Sequence, residues 1–255
     1  MTTIDDAPLI EAIFELRWGN TSSGQFSFKR DEQSLLPGKL SASAAAKGYK
    51  FCQIIPHIPL GIPGIVSHRF KKDKDSWPCF QIGLGVFTVN QINDGYDWDE
   101  FKKSIKAGLE IFTKADPEKL SSEKNTLSAI MRYQDAFYPS AKMSTEEFLS
   151  DHLKVDAKLP DSFLDNPNLN RAKSGINLRF NLDTIKPKGV ITIGITNAVI
   201  NTTPGILMET IVESKLSDSI GNTVNTKTLL EWSEKAHDLQ RHTFKNLIKT
   251  TAYQR

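Results

Sequence analysis

The residues best placed for chemistry lie in one stretch near the end of the chain, EWSEKAHDLQRH. If this stretch is helical, Glu234 and His237 are three residues apart and lie on one surface, as do Asp238 and His242 four residues apart. Histidine is suited to general acid–base catalysis because its unperturbed pKa lies near neutral pH. With Arg132 as a distant cation, Glu234, His237 and Asp238 are compatible with a hydrolase or nuclease.

The same histidine also has a simpler interpretation. Glu-x-x-His is used by di-iron helical bundles, but those proteins need two copies and further carboxylates from other helices, and this chain has one copy. On a helical wheel His237 lies between Leu230 and Phe244, where a half-buried histidine with one hydrogen bond would serve the fold. We therefore predict no metal site and no cofactor, and we expect a protein that is not an enzyme.

Familiar catalytic motifs do not occur elsewhere in the sequence. We find no Gly-x-Ser-x-Gly elbow, no P-loop, no His-Glu-x-x-His and no cysteine knuckle. Gly83 and Gly85 resemble the start of a phosphate-binding loop, but Thr88 follows where a third glycine is needed, and the pair lies inside a predicted strand. We reject that interpretation.

A basic edge at the C-terminus is the candidate nucleic-acid-binding feature. It consists of Arg241, Lys245, Lys249 and Arg255, with Tyr253 nearby. Cations near the C-terminus of a helix are also favoured by the helix dipole alone. The formal net charge of +2 over 255 residues gives no electrostatic argument for nucleic acid or membrane binding, so the structural explanation is preferred.

The composition is that of a globular protein. Hydrophobic residues make up 39% and charged residues 24% of the chain, which is enough to build a core. Cys52 and Cys79 lack the spacing of a metal site or a disulfide framework, and we expect two buried free thiols. No apolar run approaches the length of a membrane span, and residues 1–8 do not form a signal peptide. We expect a cytoplasmic protein without a membrane partner.

The most decisive local pattern covers residues 80–112. Residues 80–89 alternate in polarity and predict a strand with one buried face. A turn at 93–95 and two acidic residues, Asp97 and Asp99, then predict a helix start. The helix would bury one apolar stripe, formed by Phe101, Ile105, Leu109 and Phe112. Gly108 lies beside the stripe and would let the helix approach the sheet closely.

Both halves of the chain predict an antiparallel sheet packed against one or two helices. In the first half we predict strands at 8–18, 49–55, 66–70 and 126–137, and helices at 31–47 and 144–153. In the second half, three strands with short turns form a meander and precede a long helix at 226–249. The fold class is therefore α+β, with an N-terminal subdomain at 1–158, a linker at 159–171 and a C-terminal subdomain at 172–255.

Several stretches together resemble a sporadically distributed bacterial family of unknown function. The opening PLIEAIFELRW is similar to that family's N-terminal signature, and FQIGLGVFTVNQINDGYDWDEF to its central block. MRYQDAF resembles its Arg-Tyr strand, although the family usually has Ile-Asn where this chain has Gln134 and Asp135. The ending AHDLQRHTF resembles its terminal Ala-His helix. The resemblance supplies no catalytic residues, and it implies an accessory bacterial gene, with anti-phage defence as an expectation.

The leading functional hypothesis is a non-catalytic adaptor that binds a protein partner encoded nearby or a second copy of itself. Two hypotheses remain open beside it. One is the hydrolase or nuclease with Glu234, His237, Asp238 and Arg132. The other is a nucleic-acid sensor that uses the basic C-terminal edge.

Overall fold

The computed structural model describes residues 8–20, 24–29, 32–56, 61–92, 96–123, 126–140, 143–169, 175–221 and 223–249. The strands are β1 (Leu9–Arg17), β2 (Phe51–Ile54), β3 (Val66–Lys71), β4 (Cys79–Gly83), β5 (Val86–Ile92), β6 (Ser128–Phe137), β7 (Asn177–Ile185), β8 (Lys188–Ile200) and β9 (Thr203–Lys215). The helices are α1 (Glu32–Ala46), α2 (Trp98–Ala115), α3 (Lys119–Ser122), α4 (Thr145–His152), α5 (Asp161–Leu164), α6 (Leu216–Ser219) and α7 (Thr226–Leu247).

The predicted α+β class is confirmed, but the two halves share one sheet. The nine strands are antiparallel in the order β2-β3-β4-β5-β1-β6-β9-β8-β7. The sequence predicted a sheet in each half, and the structure corrects this because β6 pairs with β1 on one side and with β9 on the other. A strand with both edges paired leaves no exposed edge in the middle of the molecule. The boundaries at 1–158, 159–171 and 172–255 stay a prediction.

The central stretch contains a hairpin where the sequence predicted one strand over 80–89. β4 ends at Gly83, and β5 begins at Val86, with Gly83 and Val86 directly opposite. Gly85 has a φ of +75°, which glycine adopts without steric cost. A Cβ on Gly83 would lie 1.9 Å from the carbonyl oxygen of Ile65. The two glycines therefore serve a tight turn and a close backbone contact. The predicted turn at 93–95 lies outside the described residues.

Helix α2 confirms the prediction for the apolar stripe. Asp97 is its N-cap, and the Asp97 carboxylate accepts hydrogen bonds from the backbone N–H groups of Asp99 and Glu100 at 2.9 and 3.1 Å. The predicted stripe is buried, and a Cβ on Gly108 would lie 2.6 Å from Cγ2 of Val89. Gly108 thus permits the close approach of helix and sheet that the sequence predicted.

The core lies between the sheet and α1, α2 and α7. Phe14 of β1 meets Trp232 of α7 edge to face, with ring centroids 6.3 Å apart. The predicted meander is confirmed as β7, β8 and β9, and the predicted long helix as α7. Cys79 is buried as predicted, whereas Cys52 is exposed because β2 forms an edge of the sheet.

Candidate functional site

Helix α7 directs the predicted catalytic histidine towards the core. The helix begins after Asn225, whose side chain accepts a hydrogen bond from the Thr228 backbone N–H at 3.0 Å. The Thr228 hydroxyl in turn accepts from the Asn225 backbone N–H, also at 3.0 Å. This reciprocal capping sets where the helix starts. The buried side of α7 then includes Trp232 and His237, so the imidazole points towards the sheet.

His237 contacts aromatic side chains from two other elements. Its ring stacks on Trp98 of α2, with centroids 4.0 Å apart and an interplanar angle of 6°. Its Nδ1 lies 2.8 Å from the hydroxyl oxygen of Tyr133 on β6. That hydroxyl lies 3.0 Å from the hydroxyl oxygen of Tyr96. A hydrogen-bonded chain of Tyr96, Tyr133 and His237 therefore joins the sheet to α7.

Burial keeps His237 uncharged. Desolvation is the largest influence and lowers the pKa of His237 to about 4; the carboxylate of Asp238 opposes this shift, and the guanidinium of Arg241 adds to it. A buried imidazole is disfavoured in its charged form because the protein solvates charge poorly. The neutral ring has one N–H donor and one acceptor nitrogen, so it can take either role opposite the Tyr133 hydroxyl.

A buried carboxyl group lies on the same face of β6 as Tyr133. Burial raises the pKa of Asp135 to about 8, so this carboxyl holds its proton at neutral pH. Burial also raises the pKa of both Tyr96 and Tyr133. One Asp135 carboxyl oxygen, Oδ2, has no hydrogen-bond partner among the described residues. We call Tyr96, Trp98, Tyr133, Asp135 and His237 the neutral cluster, since all of its titratable groups are uncharged at neutral pH.

The groups of the neutral cluster are not poised to exchange protons at neutral pH. A general base must accept a proton near the working pH, whereas the pKa of His237 is about 4. Only 8% of His237 is exposed, and Trp98 covers one face of its ring. The geometry fits a structural network that fixes α7 against the sheet.

The structure separates the remaining residues of the hydrolase hypothesis. Glu234 forms an ion pair with Lys102 of α2 at the surface. Asp238 is exposed on α7. Arg132 immediately precedes Tyr133 in β6. Because successive side chains of a strand point to opposite faces, the Arg132 side chain lies on the face of the sheet opposite Tyr133. There its Nη1 donates to Glu209 Oε1 at 2.7 Å. Glu234, His237, Asp238 and Arg132 therefore do not converge.

The geometry gives little support to a metal site or to a nucleic-acid-binding surface. No group of three or more His, Cys, Asp or Glu side chains that could hold a metal ion occurs in the described part of the chain. In the basic edge, Arg241 is half-buried and Lys245 is exposed. Lys249 donates from its ammonium to the Ser150 carbonyl oxygen at 3.1 Å, which ties it to α4. Arg255 lies outside the described residues.

The feature that sequence reasoning missed is the outer edge of β7. The sequence predicted a meander of three strands but not its place in the sheet, and its first strand, β7, is the last strand of the sheet. Phe180 is 42% exposed, Leu182 is 52% exposed and Ile185 is 87% exposed. Phe180 and Leu182 lie opposite Ile193 and Ile191 of β8, which are buried. The apolar layer of the core thus continues to the edge of the sheet, where no described strand or helix covers it.

Comparison with known proteins returned no matching family model, no matching curated protein and no matching solved structure. The family resemblance of the sequence motifs therefore stays an expectation. None of the helices in the described regions is long and apolar enough to cross a membrane.

Proposed function

We propose that this protein is a non-catalytic adaptor that binds a protein partner by strand addition at β7. The observation that carries the proposal is the exposed apolar edge of a nine-residue strand. Natural sheets blunt their edges with short strands, prolines, charged side chains or a covering segment. β7 contains no proline, seven of its nine residues are exposed, and its two charged residues, Arg179 and Asp183, lie on the face opposite Phe180 and Leu182.

Strand addition explains how this edge would bind. The outer backbone groups of β7 have no partner strand among the described strands, and a partner strand would satisfy them with main-chain hydrogen bonds. Affinity in such complexes comes from the backbone, and specificity comes from alternate side chains. Here the partner would present apolar side chains opposite Phe180 and Leu182, because those positions extend the core of the protein.

The two other hypotheses find less support. The hydrolase hypothesis needs residues that the fold places on opposite faces of the sheet, and its histidine has a pKa of about 4. The sensor hypothesis needs free cations, while Lys249 is hydrogen-bonded to Ser150. A cytoplasmic location and a role in a bacterial accessory or defence system belong to the proposal, and the latter depends on the motif resemblance alone.

Site-specific photo-crosslinking in living cells tests the adaptor function. A photoreactive residue at Asn181, which is exposed on β7, should form protein adducts of defined mass. The same residue at the exposed Ser121 of α3 is the control and should form none above background. Absence of any Asn181 adduct, whether to this chain or to another protein, would contradict the proposed function.

A matched pair of substitutions then tests the apolar edge. Leu182→Glu places a charge where apolar contact is expected, and the adduct yield at Asn181 should fall at least tenfold. Ile54→Glu is the matched control, because Ile54 is 60% exposed on β2 at the opposite edge of the sheet. Equal losses in both variants would indicate a general effect on folding and would argue against binding at β7.

A further inference from the structure

The five central residues of β7, from Arg179 to Asp183, form a self-complementary order about Asn181. Two residues before it is Arg179, and two residues after it is Asp183. Phe180 and Leu182 flank it directly and point to the helical side of the sheet. A strand with this order is complementary to an antiparallel copy of itself.

An antiparallel pair with Asn181 opposite Asn181 brings together unlike charges. Arg179 of each copy lies opposite Asp183 of the other, and Phe180 lies opposite Leu182. Opposite charges and apolar pairs stabilise directly facing positions, whereas like charges destabilise them. Within one copy, Arg179 and Asp183 face Gly194 and Val190 of β8, which carry no charge. Arg179 Nε donates to Asn181 Oδ1 at 3.4 Å, but neither Arg179 nor Asp183 faces an opposite charge in β8.

Other alignments of the same two strands lose this match. A parallel pair in register would place Arg179 beside Arg179 and Asp183 beside Asp183. An antiparallel pair centred on Phe180 or on Leu182 would separate Arg179 from Asp183. A shift by one residue would put apolar side chains of one copy on the polar face of the other. The charges thus select one register and one orientation.

We propose that β7 binds β7 of a second copy of this chain, in antiparallel register about Asn181, to form a two-fold symmetric dimer. One sheet then continues through both copies, and the apolar layer beneath Phe180 and Leu182 becomes continuous. The interface is closed, because each copy offers the same strand once. The opposite edge, β2, has four residues and does not take part. This inference depends on the proposed binding edge and names its partner.

Charge reversal provides the test, measured by sedimentation velocity of the full chain over a range of concentrations. Arg179→Asp places Asp opposite Asp183 in both symmetric pairs, and Asp183→Arg places Arg opposite Arg179. We expect each single variant to raise the dimer dissociation constant at least tenfold. An equimolar mixture of the two variants should form a heterodimer with nearly wild-type affinity, because both pairs are then opposite in charge.

The mixture distinguishes a lost interface from a folding defect. A variant that had misfolded would not form a heterodimer when the other variant was added. The Asn181→Cys variant in a Cys52→Ser background should also form a disulfide-linked dimer upon mild oxidation, because the two Asn181 positions meet on the symmetry axis. A wild-type chain that is monomeric at every concentration would overturn the dimer. If the Asn181 photo-crosslinker then captured a different protein, the adaptor function would stand and only the identity of the partner would be wrong.

Discussion

Two polar clusters are buried on the helical side of the sheet, and they avoid the penalty of burial in opposite ways. In the first, Lys119 Nζ lies 2.7 Å from Glu32 Oε2, and the side chains are 0% and 3% exposed. Trp18 donates its indole N–H to Glu32 Oε1 at 2.5 Å. Asp116 and Glu123 lie 3.8 and 4.0 Å from the same ammonium group. We call this the ionic cluster. The second is the neutral cluster around His237.

The contrast shows how His237, a catalytic candidate in the sequence, is held uncharged in the core of the fold. A buried charge needs a partner of opposite sign, and the ionic cluster supplies it. A group without such a partner instead shifts its pKa until it is uncharged. Asp135 and His237 have shifted pKa values of this kind and are uncharged at neutral pH. Each shift also makes stability depend on pH, so the difference between the clusters can be measured.

The largest expected effect concerns Asp135. Burial raises its pKa from 3.8 to about 8, so the folded chain keeps a proton that the unfolded chain releases. The contribution of Asp135 to stability therefore falls as the pH rises from about 4 to about 8, by at most about 5 kcal/mol. Asp135→Asn cannot ionise and should gain stability relative to the wild type with rising pH, by about 1.4 kcal/mol per pH unit.

Urea unfolding at half-unit intervals between pH 5 and pH 8 measures this difference. Asp151→Asn removes one carboxyl group from an exposed position on α4 and controls for net charge. Parallel stability curves for the wild type and Asp135→Asn would mean that the folded protein tolerates a charged Asp135, and the neutral cluster would then be a wrong description.

The ionic cluster should respond to loss of its cation at every pH in this range. Lys119→Met leaves Glu32 buried without its closest cation, and breaking such a pair costs about 3–5 kcal/mol. Glu32→Gln combined with Lys119→Met removes both charges and should recover part of the loss. Lys114→Met, at an exposed position of α2, should change stability by no more than about 0.5 kcal/mol. Equal losses in the single and double variants would show that packing, not charge, holds this region.

His237 gives the third effect, with the opposite sign from Asp135. Its pKa is lowered from 6.5 to about 4. Between these two pH values the imidazole is protonated in the unfolded chain and neutral in the folded chain. The contribution of His237 to stability therefore falls as the pH drops from about 6.5 to about 4, by about 3 kcal/mol. Over this interval the two shifts nearly cancel in the wild type, because Asp135 acts in the reverse direction.

Single variants separate the two contributions. His237→Gln should lose stability as the pH rises from 4 to 6.5, because only the Asp135 dependence is left. The exposed His242→Gln is the matched control and should follow the wild type. If the stability of His237→Gln were nearly constant from pH 4 to pH 6.5, as expected for the wild type, the imidazole would not be held neutral in the fold.

Local patterns predicted most elements, and tertiary order explains what they missed. Asp97 and the stripe of α2 define that helix from neighbouring residues alone. The partners of His237 come from α2, β6 and the segment before α2, so no sequence spacing could assemble them. Arg132 and Tyr133 are adjacent and must face opposite sides of β6, but the side that faces α7 is set by the fold. The exposure of β7 follows from its place at the sheet edge.

The smallest expected effect sharpens the contrast between buried and exposed ion pairs. Glu234 pairs with Lys102, and their side chains are 45% and 35% exposed. Such pairs contribute less than about 1 kcal/mol, so Glu234→Gln should barely change the urea midpoint at pH 7. A double-mutant cycle with Lys102→Met should give a coupling energy that vanishes in 1 M salt, where the screening length is about 3 Å. The Glu32–Lys119 coupling should persist in that salt, because water and ions do not reach it. A Glu234–Lys102 coupling that resisted salt would mean that Glu234 is held as tightly as a buried residue, and the hydrolase hypothesis would then deserve a direct assay.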